Sequence, residues 1–300
     1  MKRCLVCSEY YEVSRIMCPH CDVAPQSVDG FYAYAPDVVH EGSGFKSGYF
    51  AQLAELEEAN FWFSARNRLI VWALKKYFPH FTSLIEVGCG TGYVLSGIAS
   101  AFPLAELTGS DFFVAGLPFA ATRLPQAHLI QMDARRIPYA DEFDVAAAFD
   151  VLEHIEEDAS VLENLYRAVR PGGGVMISVP QHRWLWSSND DYACHVRRYS
   201  ADELHGKMIS AGFTIVHSTS FVSLLLPLMM LSRRRGQSNK TFDPLDELRI
   251  SPSINSMLEG VLAVERVMIR MGIRFPMGGS RLIVARRPIG EKNGSYNDSI

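Results

Sequence analysis

Residues 83–92 constrain this chain more than any other segment. Ser83-Leu84-Ile85-Glu86-Val87 has the make-up of a buried strand, and it runs into Gly88-Cys89-Gly90-Thr91-Gly92, after which Tyr93 to Phe102 has helical spacing. Closely spaced glycines let a backbone turn sharply and approach a ligand. A strand, a glycine-rich turn and a helix in succession open a parallel α/β sheet, whose ligand lies beyond the carboxyl ends of the strands. Dinucleotide-binding loops share that feature, so the loop alone does not name its ligand. Two details set it apart from them. Glu86 places a negative charge where a pyrophosphate would be repelled, and the third glycine comes one residue earlier than in G-x-G-x-x-G.

The pattern that follows extends the sheet. Strands are predicted at 83–87, at 106–109 with Asp111 at its end, and at 127–131, 143–149, 175–179, 213–218 and 281–286. The run 143–149 is almost wholly apolar, as a strand inside a parallel sheet requires. Helices are predicted at 49–77, 93–102, 114–124, 158–169 and 200–211, the last opening on a Ser200-x-x-Glu203 capping box. The fold class expected is therefore α/β, a doubly wound, mostly parallel seven-stranded sheet. Its domain spans 49–288, with a mostly helical insertion at 219–278. Residues 1–30 read as a small cysteine-rich module, 31–48 as a linker, and 289–300 as a polar, disordered tail.

Composition excludes little but points somewhere. A formal charge of −4 gives no general attraction to nucleic acid. The N-terminus has no apolar leader, which suggests a cytoplasmic protein. The apolar run from Phe221 to Leu231 is far short of the roughly 20 residues that span a bilayer. It reads either as a buried helix or, with Arg233-Arg234-Arg235 beyond it, as a segment (221–235) that touches a membrane surface.

Four of the six cysteines form two pairs, Cys4-x2-Cys7 and Cys18-x2-Cys21. In a reducing compartment two such pairs suggest metal before disulfide. Each pair makes a knuckle with two thiolates, and structural zinc takes four. A zinc ribbon-like module held by Cys4, Cys7, Cys18 and Cys21 is expected, with the ion structural because all four positions are filled.

Three carboxylates end successive strands. Asp111 can accept both hydroxyls of a ribose, Asp133 is placed to meet an adenine amino group, and Asp150 is followed by Glu153 and His154. Each acid has a plainer alternative as the cap of the next helix. Together, Glu86–Gly92, Asp111, Met132-Asp133-Ala134, Phe149 to Ile155 and Arg170-Pro171-Gly172-Gly173 resemble the successive motifs of class I methyltransferases, of the small-molecule branch that includes ubiquinone-type enzymes. The resemblance covers about residues 60–220, and Leu282 to Arg286 fits the family's last strand.

That resemblance implies a Rossmann-like methyltransferase fold with S-adenosylmethionine as methyl donor. It implies that Gly88, Gly90 and Gly92, with Cys89 and Thr91 between them, face its methionine and ribose. Glu86 would orient the amino end, Asp111 with Phe112 the ribose, Asp133 with Ala134 the adenine, while Asp150 and Val151 line the floor beside the sulfonium. The segment Asn60 to Arg68 resembles an aromatic-plus-arginine stretch in such enzymes, so Arg66 pairs with the cofactor carboxylate and an aromatic such as Phe61 lies against the sulfonium, or else these side chains pack into the core.

Displacement at an activated methyl needs a base only when the nucleophile is not acidic enough alone. His154 is the first candidate and His195 the second; bracing a loop is the alternative role for His154. His195-Val196-Arg197-Arg198-Tyr199 resembles an H-x-R-R-Y segment of a bacterial subgroup. There Arg198 would bind an anionic group of the acceptor and Tyr199 would close the pocket, unless the segment is only a solvated, ion-paired loop. Trp184 and Trp186 could stack on an acceptor or be buried. The expected activity is methyl transfer to a small-molecule or lipid-like acceptor. Two other readings stand beside it, an RNA methyltransferase acting on ribosomal RNA and a non-catalytic adaptor that binds S-adenosylmethionine.

Overall fold

The structure, a computed structural model, describes residues 1–38, 49–236 and 249–290. Parts of the expected linker (39–48), insertion (237–248) and tail (291–300) lie outside the described residues, as do the side chains of Arg234 and Arg235.

Two short strands, β1 (Lys2–Arg3) and β2 (Tyr10–Tyr11), pair antiparallel, and β3 (Gln26–Val28) and β4 (Phe31–Ala33) form a hairpin. Helices α1 (Tyr49–Leu56) and α2 (Phe61–Tyr77) follow. Then come β5 (Ser83–Val87), α3 (Tyr93–Ala101), β6 (Glu106–Asp111), α4 (Leu117–Arg123), β7 (His128–Gln131), β8 (Phe143–Phe149), α5 (Asp158–Ala168) and β9 (Val169–Pro180). The chain continues with α6 (Ser188–Tyr192), α7 (Ala201–Ser210), β10 (Thr214–Phe221), α8 (Leu226–Gly236), α9 (Pro252–Arg270) and β11 (Ser280–Arg286).

The large sheet has the order β10-β11-β9-β8-β5-β6-β7-β4-β3. Its centre, from β9 through β4, is parallel, and β11 runs antiparallel to both its neighbours. Order reverses at β5, which pairs with β6 on one side and β8 on the other. Beyond the carboxyl ends of β5 and β8 lies the crevice where such sheets bind ligands.

The seven predicted strands are all present, but the sheet has nine. The expected linker 31–48 begins instead with a strand: the β3–β4 hairpin lies against β7, with Tyr32 opposite Ile130 and Ala33 opposite Gln131. Its turn is Asp29-Gly30, with φ of 51° and 86°. Two successive residues at positive φ match the twist of a tight hairpin. The single helix expected at 49–77 is two, because the Asn60 side chain accepts from Trp62 N at 2.9 Å and caps the second. The glycines 172–174 lie inside β9, whose register slips between Val169 and Gly174. A Cβ at Gly174 would stand 2.2 Å from Ala285 O, so only glycine lets β11 come so close.

Alternating side chains divide the core into two layers. Leu84, Val145, Ala147, Leu282 and Val284 pack under α2, α3 and α9, while Ile85, Ala146, Ala148, Ile283 and Ala285 pack under α5 and α7. The cysteine module docks on the β7–β8 connection. Arg3 N donates to Pro138 O at 3.0 Å, Ala140 N to Met1 O at 2.9 Å, and Arg136 Nη2 to Leu5 O at 2.9 Å. Among the described residues no helix is long and apolar enough to cross a membrane. The apolar run 221–231 divides: Phe221, Val222, Leu225 and Leu226 are buried, whereas Leu224, Leu228 and Leu231 are exposed.

Candidate functional site

The glycine-rich loop leaves β5 with Gly88, Gly90 and Gly92 at φ of 74°, 52° and 75°. L-residues avoid that region. Space is also tight. A Cβ at Gly88 would meet Val151 Cγ2 at 2.3 Å, and one at Gly92 would meet the Ala120 backbone at 2.9 Å. The loop is thus a bare backbone cradle pressed against the floor beyond β8. Helix α1 covers it, with the buried Phe50 ring 3.7 Å from where a Gly90 Cβ would stand. A buried network fastens this cover: Thr91 Oγ1 donates to Glu57 at 2.6–2.8 Å, and Arg123 Nη1 reaches Glu57 Oε2 at 2.6 Å and Thr91 Oγ1 at 2.8 Å.

Around the cradle stand the acids. Glu86 is buried and its Oε2 has no hydrogen-bond partner. Burial pushes its pKa up to about 8, with Arg66 opposing and Asp111 and Glu57 adding to the rise. Asp111 accepts from Gly90 N at 2.8 Å and Phe113 N at 2.9 Å. Burial raises it to about 6 despite those N–H groups. The two oxygens of Asp133 are bridged by the Arg135 guanidinium at 2.8–3.0 Å, which leaves lone-pair sites still open. Ala134 is buried beside it, and Phe112 and Phe113 meet edge to face at 5.1 Å. Asp150 holds a positive φ of 57° and pairs with Arg66, whose guanidinium also lies 4.4 Å from the Trp62 ring centre. A non-glycine residue held in that region stores strain, which clusters at functional sites.

Beyond β8 a second group gathers. Glu153 is fully buried, yet neither carboxylate oxygen has a hydrogen-bond partner. Burial and the nearby Asp150 hold its carboxyl well above the ordinary range, against the pull of Arg198 and Arg66. The His154 and His195 rings meet edge to face at 4.7 Å. His195 Nδ1 lies 2.8 Å from Asp190 Oδ1, and Arg198 Nε donates to the same oxygen at 2.7 Å. Burial opposes ionisation of Asp190, but hydrogen bonds with His195 and Arg198 outweigh it and hold the carboxyl below its usual range.

At the far end of the chain the four cysteines of the module converge, all reduced. Cys4 and Cys21 sulfurs lie 3.5 Å apart, Cys7 and Cys18 sulfurs 3.7 Å. A tetrahedral zinc with bonds of about 2.3 Å spaces its thiolates by about 3.8 Å, so the four sulfurs fit one ion.

A family model described as a methyltransferase domain matches residues 54–218. The chain belongs to this family. A Mycobacterium tuberculosis protein named "Probable S-adenosylmethionine-dependent methyltransferase" is 29% identical over 170 residues, covering 55% of this chain and 60% of that one. Trans-aconitate 2-methyltransferase of Variovorax paradoxus is 31% identical over 106 residues, 35% of this chain and 41% of that one. The chain thus spans about 60% of the length of the first curated relatives it matches. Among solved structures, the cyclase SpnF superposes with a TM-score of 0.52 at 20% identity, covering 76% of this chain and 84% of that one, a likeness that shows the fold alone.

In this methyltransferase domain the residues expected at the cofactor, from Arg66 and Glu86 to Asp150 and Val151, follow β5, β6, β7 and β8 or face those strand ends from α2. Phe61 sits at the start of α2, where its N–H donates to Asn255 Oδ1 at 2.8 Å and its ring packs on the core; Trp62 is the aromatic against Arg66. Two acceptor-side expectations are corrected. Tyr199 does not close a pocket: it is fully buried, and its hydroxyl donates to Asp158 Oδ2 at 2.6 Å. Arg198 is buried and held by Asp190 and by Gln181 O at 3.3 Å, so it braces His195. Trp184 is exposed and stacks on His182, and Trp186 donates to Asp191 at 2.8 Å. Sequence reasoning missed Glu57 and Arg123, which lie far apart in the chain and meet only through tertiary packing. A cavity of about 390 Å³ lies at the opposite ends of the strands, among Ser83, Glu106, His128 and Phe143. It is remote from the glycine-rich loop.

Proposed function

We propose that this chain transfers a methyl group from S-adenosylmethionine to a small-molecule or lipid-like acceptor. The observation that carries the reading is the bare cradle Gly88–Gly92 beside an orphaned, buried Glu86 oxygen, set where the strand order reverses. A dinucleotide's pyrophosphate would meet a carboxyl there, whereas an amino group supplies the donor that Glu86 lacks. When bound, the cofactor supplies a methyl group already activated on a sulfonium. This chain's residues hold and shield it. Glu86 orients the amino end and Arg66 the carboxylate, exchanging its present partner Asp150. Asp111 and Phe112 hold the ribose, and Asp133 and Ala134 the adenine. Catalysis then rests on positioning in a site that excludes water.

The acceptor reading is supported by trans-aconitate 2-methyltransferase, a relative named for a small acid. A formal charge of −4 gives an RNA acceptor no electrostatic support. The sulfur spacing supports structural zinc in the N-terminal module, which would contribute to its folding. The reading is tested by calorimetric titration of the full chain with S-adenosylmethionine beside Asp111→Ala. The variant is expected to weaken binding at least about tenfold, or ~1.4 kcal/mol. A folded, zinc-loaded chain that binds no cofactor overturns it.

A further inference from the structure

We propose that Glu153, His154 and His195 form a second metal centre, which binds one divalent cation at the mouth of the site and presents it to an oxygen atom of the acceptor. A carboxylate oxygen of Glu153 and one ring nitrogen of each histidine all lie within 4.8 Å of one another. Bonds of about 2.0–2.2 Å bring the ligands of one ion within about 4.4 Å of each other.

Glu153 makes the cluster more than a chance gathering of polar groups. A carboxyl group with no solvent exposure and no hydrogen bond at either oxygen is costly to bury. The neighbouring guanidiniums favour its charged form but give it no hydrogen bond, since Arg66 pairs with Asp150 and Arg198 with Asp190. Three carboxyl groups (Asp150, Glu153, Asp190) share two guanidiniums, so ionisation of Glu153 calls for an added cation.

The surroundings of His195 point the same way. Its Nδ1 is engaged by Asp190 at 2.8 Å, and Asp190 is fixed in turn by Arg198 at 2.7 Å and by Ser187 N at 2.8 Å. Carboxylate–histidine pairs of this kind set the tautomer and leave the other ring nitrogen as a metal ligand. The 190–198 loop is tied to the Glu153 turn by Val196 N donating to Glu153 O at 2.7 Å, which holds His195 in register with Glu153.

Two histidines and one carboxylate fill one side of a coordination sphere and leave positions open. An acceptor hydroxyl bound there would lose its proton more readily, and an acceptor carboxylate would be oriented, with either facing the floor at Asp150. That role rests on the methyl-transfer reading above; the ion site itself does not. This set is also distinct from the four cysteines, because a nitrogen–oxygen set accepts hard ions such as Mn2+ that thiolates do not favour.

The test is Mn2+ binding to the full chain loaded with one equivalent of zinc, followed by electron paramagnetic resonance without cofactor. One Mn2+ per chain is expected, with affinity falling at least tenfold in His154→Ala and in Glu153→Gln. Asp190→Asn should weaken binding by about 10–100-fold, as loss of an orienting partner does. A thermal melt checks that each variant keeps the fold. A wild-type chain that binds no Mn2+, or binding untouched in both ligand variants, overturns the proposal. Cofactor titration reads separately, so failure of the metal site and failure of the methyl-transfer reading are told apart.

Discussion

Glu86, next to last in β5, has one carboxylate oxygen that no protein group satisfies, and burial raises its pKa to about 8. In the unfolded chain the same group titrates near its ordinary 4.5. Between those values the folded protein holds a proton that the unfolded one has released, so stability falls as pH rises from about 4.5 through about 8. Glu86→Gln removes this dependence. Without cofactor, the variant is expected to gain on the wild type by several degrees of melting temperature between pH 5 and pH 8. Asp111 and Glu153, also raised, are common to both proteins and cancel in that difference. Melting curves that stay parallel across the range would refute the assignment. The residues at strand ends were legible because charge in an otherwise apolar run is anomalous, and Glu86 between Ile85 and Val87 is the plainest case. Tyr199 and Arg198 were misread because a polar loop segment looks the same whether it faces solvent or plugs into the core. Only packing against Asp158 and Asp190 decides that.

At the scale of elements, the cover over the glycine-rich loop depends on a few buried contacts. Helix α1 buries only Phe50 among its own residues, and the turn after it is fixed by Glu57 to Thr91 and Arg123. Removing one partner of a buried ion pair costs about 3–5 kcal/mol because a charge is left unpaired. Arg123→Met should therefore lower stability by about 3 kcal/mol, and hydrogen exchange in residues 49–57 should quicken by more than it does in β5 or β8. Uniform loss of protection across the molecule would mean that α1 is not a separate cover. None of this was legible, since no local pattern links residue 57 to 123. The break between α1 and α2 was read through, because the helical spacing continues across it, although Asn60 before an apolar run is a capping residue. The β3–β4 hairpin was missed as well. Asp29-Gly30 is a strong two-residue turn signal, but short strands of Gln, Ser and Tyr hid it inside a stretch that reads as loop. The central strands 83–87 and 143–149 were plain because both their faces are buried.

For the whole molecule, the N-terminal residues close an edge. The hairpin gives β7 its outer neighbour, and Gln131 is tied further: its O accepts from Tyr34 N at 2.9 Å, while its side chain exchanges bonds with Ala35 at 3.0–3.1 Å. The cysteine module braces the same corner through Met1, Arg3 and Arg136. An uncovered strand offers a row of unpaired N–H and C=O groups to any other chain. Deleting residues 1–38 leaves the cradle, Asp111 and the β8 floor in place but uncovers β7. The truncated chain is therefore expected to retain cofactor binding while associating as concentration rises, which light scattering over a dilution series would detect. Cys7→Ser with Cys21→Ser should act in the same direction and more weakly, since the hairpin remains while its brace loosens. A truncated chain that stays monodisperse with an unchanged melting temperature would show that β7 needs no cover, and that the module sits on the methyltransferase domain without contributing to it.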